Sequence, residues 1–391
     1  HALDRVAWVR GNTGTPPRPA AAGCGSGYLV VIRYVVVLEL KQRLRSRCWY
    51  IMLAIWFILT GLVTWLTWAS WNAQREAQRA YSNFMPPDTG PGSMIFEVVL
   101  AFVLLFALLV APALSANAVN GDRAGGTLAI LQVTLLRPGQ ILWGKFFAAW
   151  AAALAFLVAS TPFLIIGVAL GGMTPGHVLV ALLMLAVEVG VVCAIGVGIS
   201  ALAGRPLFSI VVTYLAVAGL VFGSLIAFGL GTGLSQGTIM ANQAQYRNYD
   251  QLRPVPDDTV AEEPAYTCSG PLRAQPAVRT ERVAWMLAMN PYVVVADAIP
   301  YTVRVNSGFG MSSPVGAIES ISQGARYAMA GPEGTYPCAN GEAKPQYLAQ
   351  STPLWPLGLG LQLLLAGLLM WLGWRSLRTP AHRLARGTRI A

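Results

Sequence analysis

Six apolar stretches, each long enough to cross a bilayer, constrain this chain more than any other feature. They are Trp49 to Trp71, Met94 to Ala116, Phe146 to Leu170, Val178 to Ala203, Leu207 to Gly233 and Leu354 to Trp374. Crossing the hydrocarbon core takes roughly 20 apolar residues at a helical rise of 1.5 Å each, and all six qualify. The expected fold is an all-α membrane protein of six transmembrane helices. Composition agrees, because only 11% of the residues are charged and 55% are hydrophobic, against about 25% charged in a soluble domain.

Six crossings place both termini on one side, and charge selects that side. With the termini inside, 17 of the 27 Lys and Arg residues fall on inner segments, facing only the acids Asp4, Glu39 and Asp122. Most of the other basic residues share one long loop before the last span with ten acids, and long loops count little in the positive-inside rule. The expected orientation is N-in, C-in, with a large extracytoplasmic insertion between helices 5 and 6. Trp49, Trp143, Trp355, Trp371 and Trp374 fall at the implied interfaces, as aromatic belts do. The net charge of +10 then anchors the inner face on anionic lipid. No basic module interleaved with aromatics is present, so nucleic acid is not an expected partner.

Residues 1–32, rich in Gly, Pro and Ala from Gly11 to Gly27 and without an apolar leader core, read as a disordered tail. Residues 33–233 hold an amphipathic helix and the first five spans. In that helix Val37, Leu40 and Leu44 share one face, and Glu39 and Arg43 stand at i,i+4. Between the second and third spans, Thr127 is a candidate N-cap after Gly125 and Gly126. Leu128, Leu131 and Leu135 then repeat at helical spacing until Pro138 stops the run. Such a cytosolic helix docks against the membrane surface or a partner. Residues 234–352 form the extracytoplasmic region, 353–376 the sixth span and 377–391 a basic cytoplasmic tail. Near 283–303 an apolar run could suggest a seventh span, but Asn290-Pro291 breaks it and Asp297 would sit in lipid. A re-entrant or interfacial segment fits better. Cys268 and Cys338, a pair in an oxidising compartment, are expected as a disulfide. Cys24, Cys48 and Cys193 suit small-residue packing.

The candidates for chemistry are few. Gly139, Gly144 and Lys145 match part of a phosphate-binding loop, but Phe146 stands where a Mg²⁺-binding Ser or Thr is required and a membrane helix follows. ATP hydrolysis is therefore expected on another chain. Glu188 is the carboxylate deep in a span, either a pathway residue or a structural hydrogen-bond acceptor. It would suit a cationic substrate, while the apolar spans around it suit a lipid-like or drug-like one. His177 has no second His or Cys at ligand spacing, so no metal site is expected. Gly167 with Gly171, and Gly219 with Gly223, are G-x-x-x-G pairs that permit close helix contact, within the bundle or between copies. No Ser-His-Asp set or paired catalytic carboxylates appear, so the chain is not expected to be an enzyme.

Four segments in order resemble the bacterial type-2 ATP-binding-cassette (ABC) exporter permeases. They are Glu39-Leu40-Lys41-Gln42-Arg43-Leu44-Arg45-Ser46-Arg47; Asp122-Arg123-Ala124-Gly125-Gly126-Thr127-Leu128 with Ile141-Leu142-Trp143-Gly144-Lys145; Ser200-Ala201-Leu202-Ala203-Gly204-Arg205; and Asn290-Pro291. The second loop carries less acid than the family's and has Leu135 where a Pro is usual. The resemblance implies a permease subunit of an exporter in the bacterial plasma membrane, paired as a homodimer or with a paralogous permease. A cytosolic ABC ATPase would drive it and hold the ATP and Mg, with no cofactor on this chain. Asp122, Arg123, Thr127, Leu128, Leu131 and Leu135 would form the coupling segment. The alternative is a non-transporting membrane scaffold or sensor with an extracytoplasmic binding region.

Overall fold

A computed structural model describes residues 24–81, 90–125, 137–246, 266–301, 316–343 and 353–378. The long helices are α1 (Cys24–Leu44), α2 (Arg47–Tyr81), α3 (Gly92–Ser115), α5 (Pro138–Ala169), α6 (Pro175–Leu202) and α12 (Trp355–Leu377). A short α4 (Asn120–Ala124) follows α3. Helices α7 (Pro206–Ala218) and α8 (Ser224–Leu234) join through a π-helical turn, Gly219–Gly223. Six candidate spans result: Arg47–Ala77, Gly92–Ala124, Pro138–Ala169, Pro175–Leu202, Pro206–Leu234 and Trp355–Leu377.

Two element starts differ from the sequence expectation for identifiable reasons. Helix α1 begins at Cys24, not Arg33, because the apolar residues Leu29 to Ile32 continue the helix upstream. It ends at Leu44, and Arg45 and Ser46 separate it from α2. Pro138 opens α5. Proline lacks only an N–H that the first helical turn leaves unpaired anyway, and its fixed φ suits that position. Thr127, Leu128, Leu131 and Leu135 lie outside the described residues.

Helices α3, α5, α6 and α12 pack together as the centre, with α2 and α7–α8 at the periphery. Trp56 fixes α2 to this centre. It is fully buried, stacks on Phe106 at 4.0 Å and donates its indole N–H to the Phe156 carbonyl at 3.0 Å and to Ser160 Oγ at 2.9 Å. The Gly167–Gly171 pair is used inside the bundle, where the start of α3 at Gly92 lies directly on the Gly167 and Gly171 carbonyls. Gly219 and Gly223 have no neighbour within 4 Å of a Cβ position and face open space.

Between the fifth and sixth candidate spans lies an element that apolar periodicity did not signal, an antiparallel hairpin of β1 (Gln236–Tyr246) and β2 (Tyr266–Val278). Its register runs from Gln236 opposite Val278 to Tyr246 opposite Tyr266, with a shift between Ala241 and Gln243. Pro271 and Pro276 within β2 argue against a central strand. A two-stranded sheet has only edges, and there Pro is tolerated. Cys268 of β2 is bonded to Cys338, with Cα atoms 5.5 Å apart, and Ala339 bridges to Ala241.

Residues 283–301 form two short helices, α9 (Ala284–Ala288) and α10 (Pro291–Ala298), packed on the bundle beneath α11 (Ala317–Thr335). Asn290 breaks them and caps α10, its side chain accepting from the Tyr292 N–H at 2.9 Å. Asp297 is fully buried and ties three elements together. It accepts from the Leu354 and Trp355 N–H groups at the start of α12 (2.6 and 2.9 Å), from Ser322 Oγ (3.2 Å) and from Arg326 Nε (2.5 Å). Those two backbone donors are unpaired by any helix, and a carboxylate at a helix N-terminus is the partner they favour.

Candidate functional site

Three segments distant in sequence converge at one end of the bundle. Lys145 lies in the second turn of α5 and is 4% exposed, yet its ammonium meets two carboxylates: Glu39 of α1 at 2.6 Å and Asp122 of α4 at 2.5 Å. A buried cation is stable only when paired, and here two anions compensate it. Gly144 explains how α1 comes so close. A Cβ there would lie 2.7 Å from Val35 Cγ1 and 2.9 Å from Val35 Cβ, on the α1 turn preceding Glu39. The Gly-Lys pair thus serves helix docking and ion pairing inside a helix, and not a phosphate cradle.

Around this triad the helix ends are fastened by polar contacts. Arg43 donates to the Leu114 carbonyl at 3.2 Å; burial lowers its guanidinium from the ordinary value, and Glu39 offsets part of that. Arg123 donates to the carbonyls of Ala203 (2.9 Å) and Ala201 (3.4 Å), which end α6 and carry the negative end of its dipole. Ser200 Oγ accepts from the Val119 and Asn120 N–H groups at 3.1 Å each, and Ser209 Oγ donates to the Ala116 carbonyl at 2.6 Å. Asp122 and Arg123 are therefore both engaged within the chain, at the root of residues 126–136.

Glu188 lies in mid-α6, fully buried, with the Gln362 side chain of α12 as its polar neighbour. Gln362 of α12, also fully buried, donates to the Met289 carbonyl at 3.1 Å while its Oε1 stays unpartnered. His177 is committed to the start of α6, its Nδ1 2.7 Å from Thr174 Oγ1. Among the described residues no group of three His, Cys, Asp or Glu side chains could hold a metal. Asp297 and Lys145 matter most structurally, and sequence reasoning singled out neither for the role it has.

The model of a family described as ABC-2 family transporter protein matches residues 33–295, well over half of the chain. The chain belongs to the ABC-2 transporter permease family. The match starts in α1 and ends in α10, so it contains all three members of the Lys145 triad and the Asn290 break. As an ABC-2 family permease the chain is a multi-pass membrane protein, and membership implies association with an ABC ATPase. No curated protein matches the chain.

Proposed function

We propose that this ABC-2 family chain is the membrane-spanning subunit of an ATP-driven exporter, N-in and C-in in a bacterial plasma membrane. It works as a pair of copies or beside a paralogous permease, and a separate cytosolic ATPase binds the ATP and Mg. The observation that carries this reading is the triad, because Glu39, Asp122 and Lys145 knot the helix before the first span, α4 and the start of α5 at the foot of residues 126–136. A push delivered there would reach three elements together, which is the requirement for a rigid-body change driven from the cytosol. Leu128, Leu131 and Leu135 would supply the apolar anchors to the ATPase, while Asp122 and Arg123 hold the root of the segment. Apolar anchors in a docking groove usually carry more binding energy than rim charges.

The test is co-purification with the ATPase together with the variant Leu131→Asp. It should abolish substrate-stimulated ATP hydrolysis without lowering membrane insertion. A Leu131→Asp protein that still binds the ATPase and couples normally would place the segment on the lipid surface and favour the scaffold reading. Repeated purification without any ATPase chain would do the same.

A further inference from the structure

An apolar cavity of about 610 Å³ lies between α5, α6 and α12, a volume typical of a small-ligand site. Its walls are aromatic: Trp143, Phe146 and Trp150 from successive turns of α5, and Trp371 and Trp374 from the last turns of α12. Gly190 and Gly367 leave the room between them, and none of the lining side chains is charged. Tyr28 of α1 and Gly139 of α5 lie together with Trp374 at one end. On α12 the lining runs from Leu363 to Trp374, which is roughly 16 Å of helix. That is about half of the hydrocarbon core of roughly 30 Å, the depth of one leaflet.

Beyond the Tyr28 end the chemistry changes sign. Arg378 lies over the Trp374 ring, 3.3 Å from its centroid, and Arg375 over the Trp371 ring at 5.7 Å. Neither pairs with a carboxylate among the described residues. Arg137 precedes the first turn of α5, two residues before Gly139 of the cavity wall. A guanidinium stacked on an indole face keeps its in-plane N–H fork free for an oxyanion, and phosphate suits that fork in bidentate fashion.

We propose that this cavity holds an acyl chain of an anionic phospholipid, with the lipid phosphate on Arg375 and Arg378. The one-leaflet depth selects an acyl chain over a compact solute, and two arginines without a carboxylate among the described residues select an anionic headgroup over a zwitterionic one. The lipid would wedge between α5 and α12, next to the triad, and so make the packing of these helices depend on the lipid composition of that leaflet.

The test uses the purified full-length chain in detergent, with lipid retention read by native mass spectrometry for phosphatidylglycerol and phosphatidylcholine of identical chains. Phosphatidylglycerol should be held on the order of tenfold more tightly, as expected for two arginine contacts near a membrane surface. The double variant Arg375→Gln with Arg378→Gln should remove that preference. Gly367→Leu should weaken both lipids, because a Cβ at Gly367 meets nothing within 4 Å and the new side chain can enter the cavity. Trp143→Ala, which truncates a side chain 43% exposed and so spares the core, should weaken both as well. Equal retention of the two lipids by the unmodified chain overturns the proposal, as does unchanged retention in Gly367→Leu or Trp143→Ala. Displacement of phosphatidylglycerol by glycerol phosphate alone at comparable concentration would mean that the arginines bind free phosphate and the cavity holds no chain.

Discussion

Removing the two carboxylates that face Lys145, singly and together, gives a sharp test of the triad. Lys145 is almost fully buried, whereas Glu39 and Asp122 are 22% and 27% exposed. A hydrogen bond to a charged group contributes about 1.5–3 kcal/mol, and partial exposure of both carboxylates trims this toward the lower end. Glu39→Ala or Asp122→Ala alone should therefore cost about 1–2 kcal/mol, because the other carboxylate still compensates the ammonium. The double variant leaves a buried cation without a partner, a situation that costs about 3–5 kcal/mol by itself. Its total should exceed the sum of the singles by at least about 1 kcal/mol, the coupling expected when two residues share one partner. Lys145→Met should be milder than the double variant. It leaves two carboxylates that water can reach, and it fills the same volume with an apolar chain. SDS-titrated unfolding in mixed micelles would measure all four variants. Strict additivity of the two single deletions, or a Lys145→Met protein less stable than the double variant, would refute the reasoning.

Other sites give expectations of known sign. Asp297→Ala should destabilise by about 3–5 kcal/mol, since it strips two backbone N–H groups and Arg326 of a buried anion; Asp297→Asn should lie between it and the unmodified chain in the same titration. Glu188→Gln should leave stability unchanged or raise it, because an amide keeps the polar contact with Gln362 and removes a buried carboxylate with no cation beside it among the described residues. A clear loss of stability would mean that the carboxylate is compensated. Mild reduction of Cys268–Cys338, which are 70 residues apart in sequence, removes a loop constraint of very roughly 4 kcal/mol in the chain-entropy estimate. Proteolysis should then speed up in the hairpin region and not in the six long helices, and free thiols at both positions without reductant would contradict the bond.

The spans were legible because each rests on some twenty apolar residues, a signal that no local detail can cancel. Their ends were harder to place. Helix α1 extends to Cys24, with Leu29 to Ile32 apolar ahead of Arg33, yet composition marks the Gly-Pro-Ala run before it as a tail. The hairpin was illegible for the opposite reason, since Gln236 to Tyr246 lacks the alternation of a half-buried strand and two prolines stand in its partner. A bond from Cys268 to Cys338 and an Ala241–Ala339 bridge hold it, beside a small apolar cluster of Ile239, Ala241 and Ala339. The triad is a third kind of case. Its three residues all fall in motifs readable from the chain, but Glu39 and Lys145 are 106 residues apart, and no periodicity links an acid before one span to a lysine at the start of another.

These fastenings divide the bundle unequally. The polar contacts at the Lys145 end join α1, α3, α4, α5, α6 and α7, and Asp297 joins α10, α11 and α12 at the opposite end of α12 from Arg375. Between them, α6 packs on α12 so closely that a Cβ at Gly198 would lie 2.8 Å from the Leu369 backbone. By contrast α2 and α7–α8 are the spans with the smallest buried share, together with only slightly more buried α12. Helix α7–α8 also carries the π-helical turn, where Asn290 Nδ2 donates to the Val221 carbonyl at 2.8 Å and to Ser224 Oγ at 3.1 Å. A π-turn is a weak point in a helix, and such turns concentrate at functional positions. Here the weak point is held from outside by the residue that also caps α10. Bending of α7–α8 is thereby tied to the position of the α9–α10 segment. Movement of one peripheral helix against a stitched centre costs fewer contacts than any rearrangement within α3, α5 and α6.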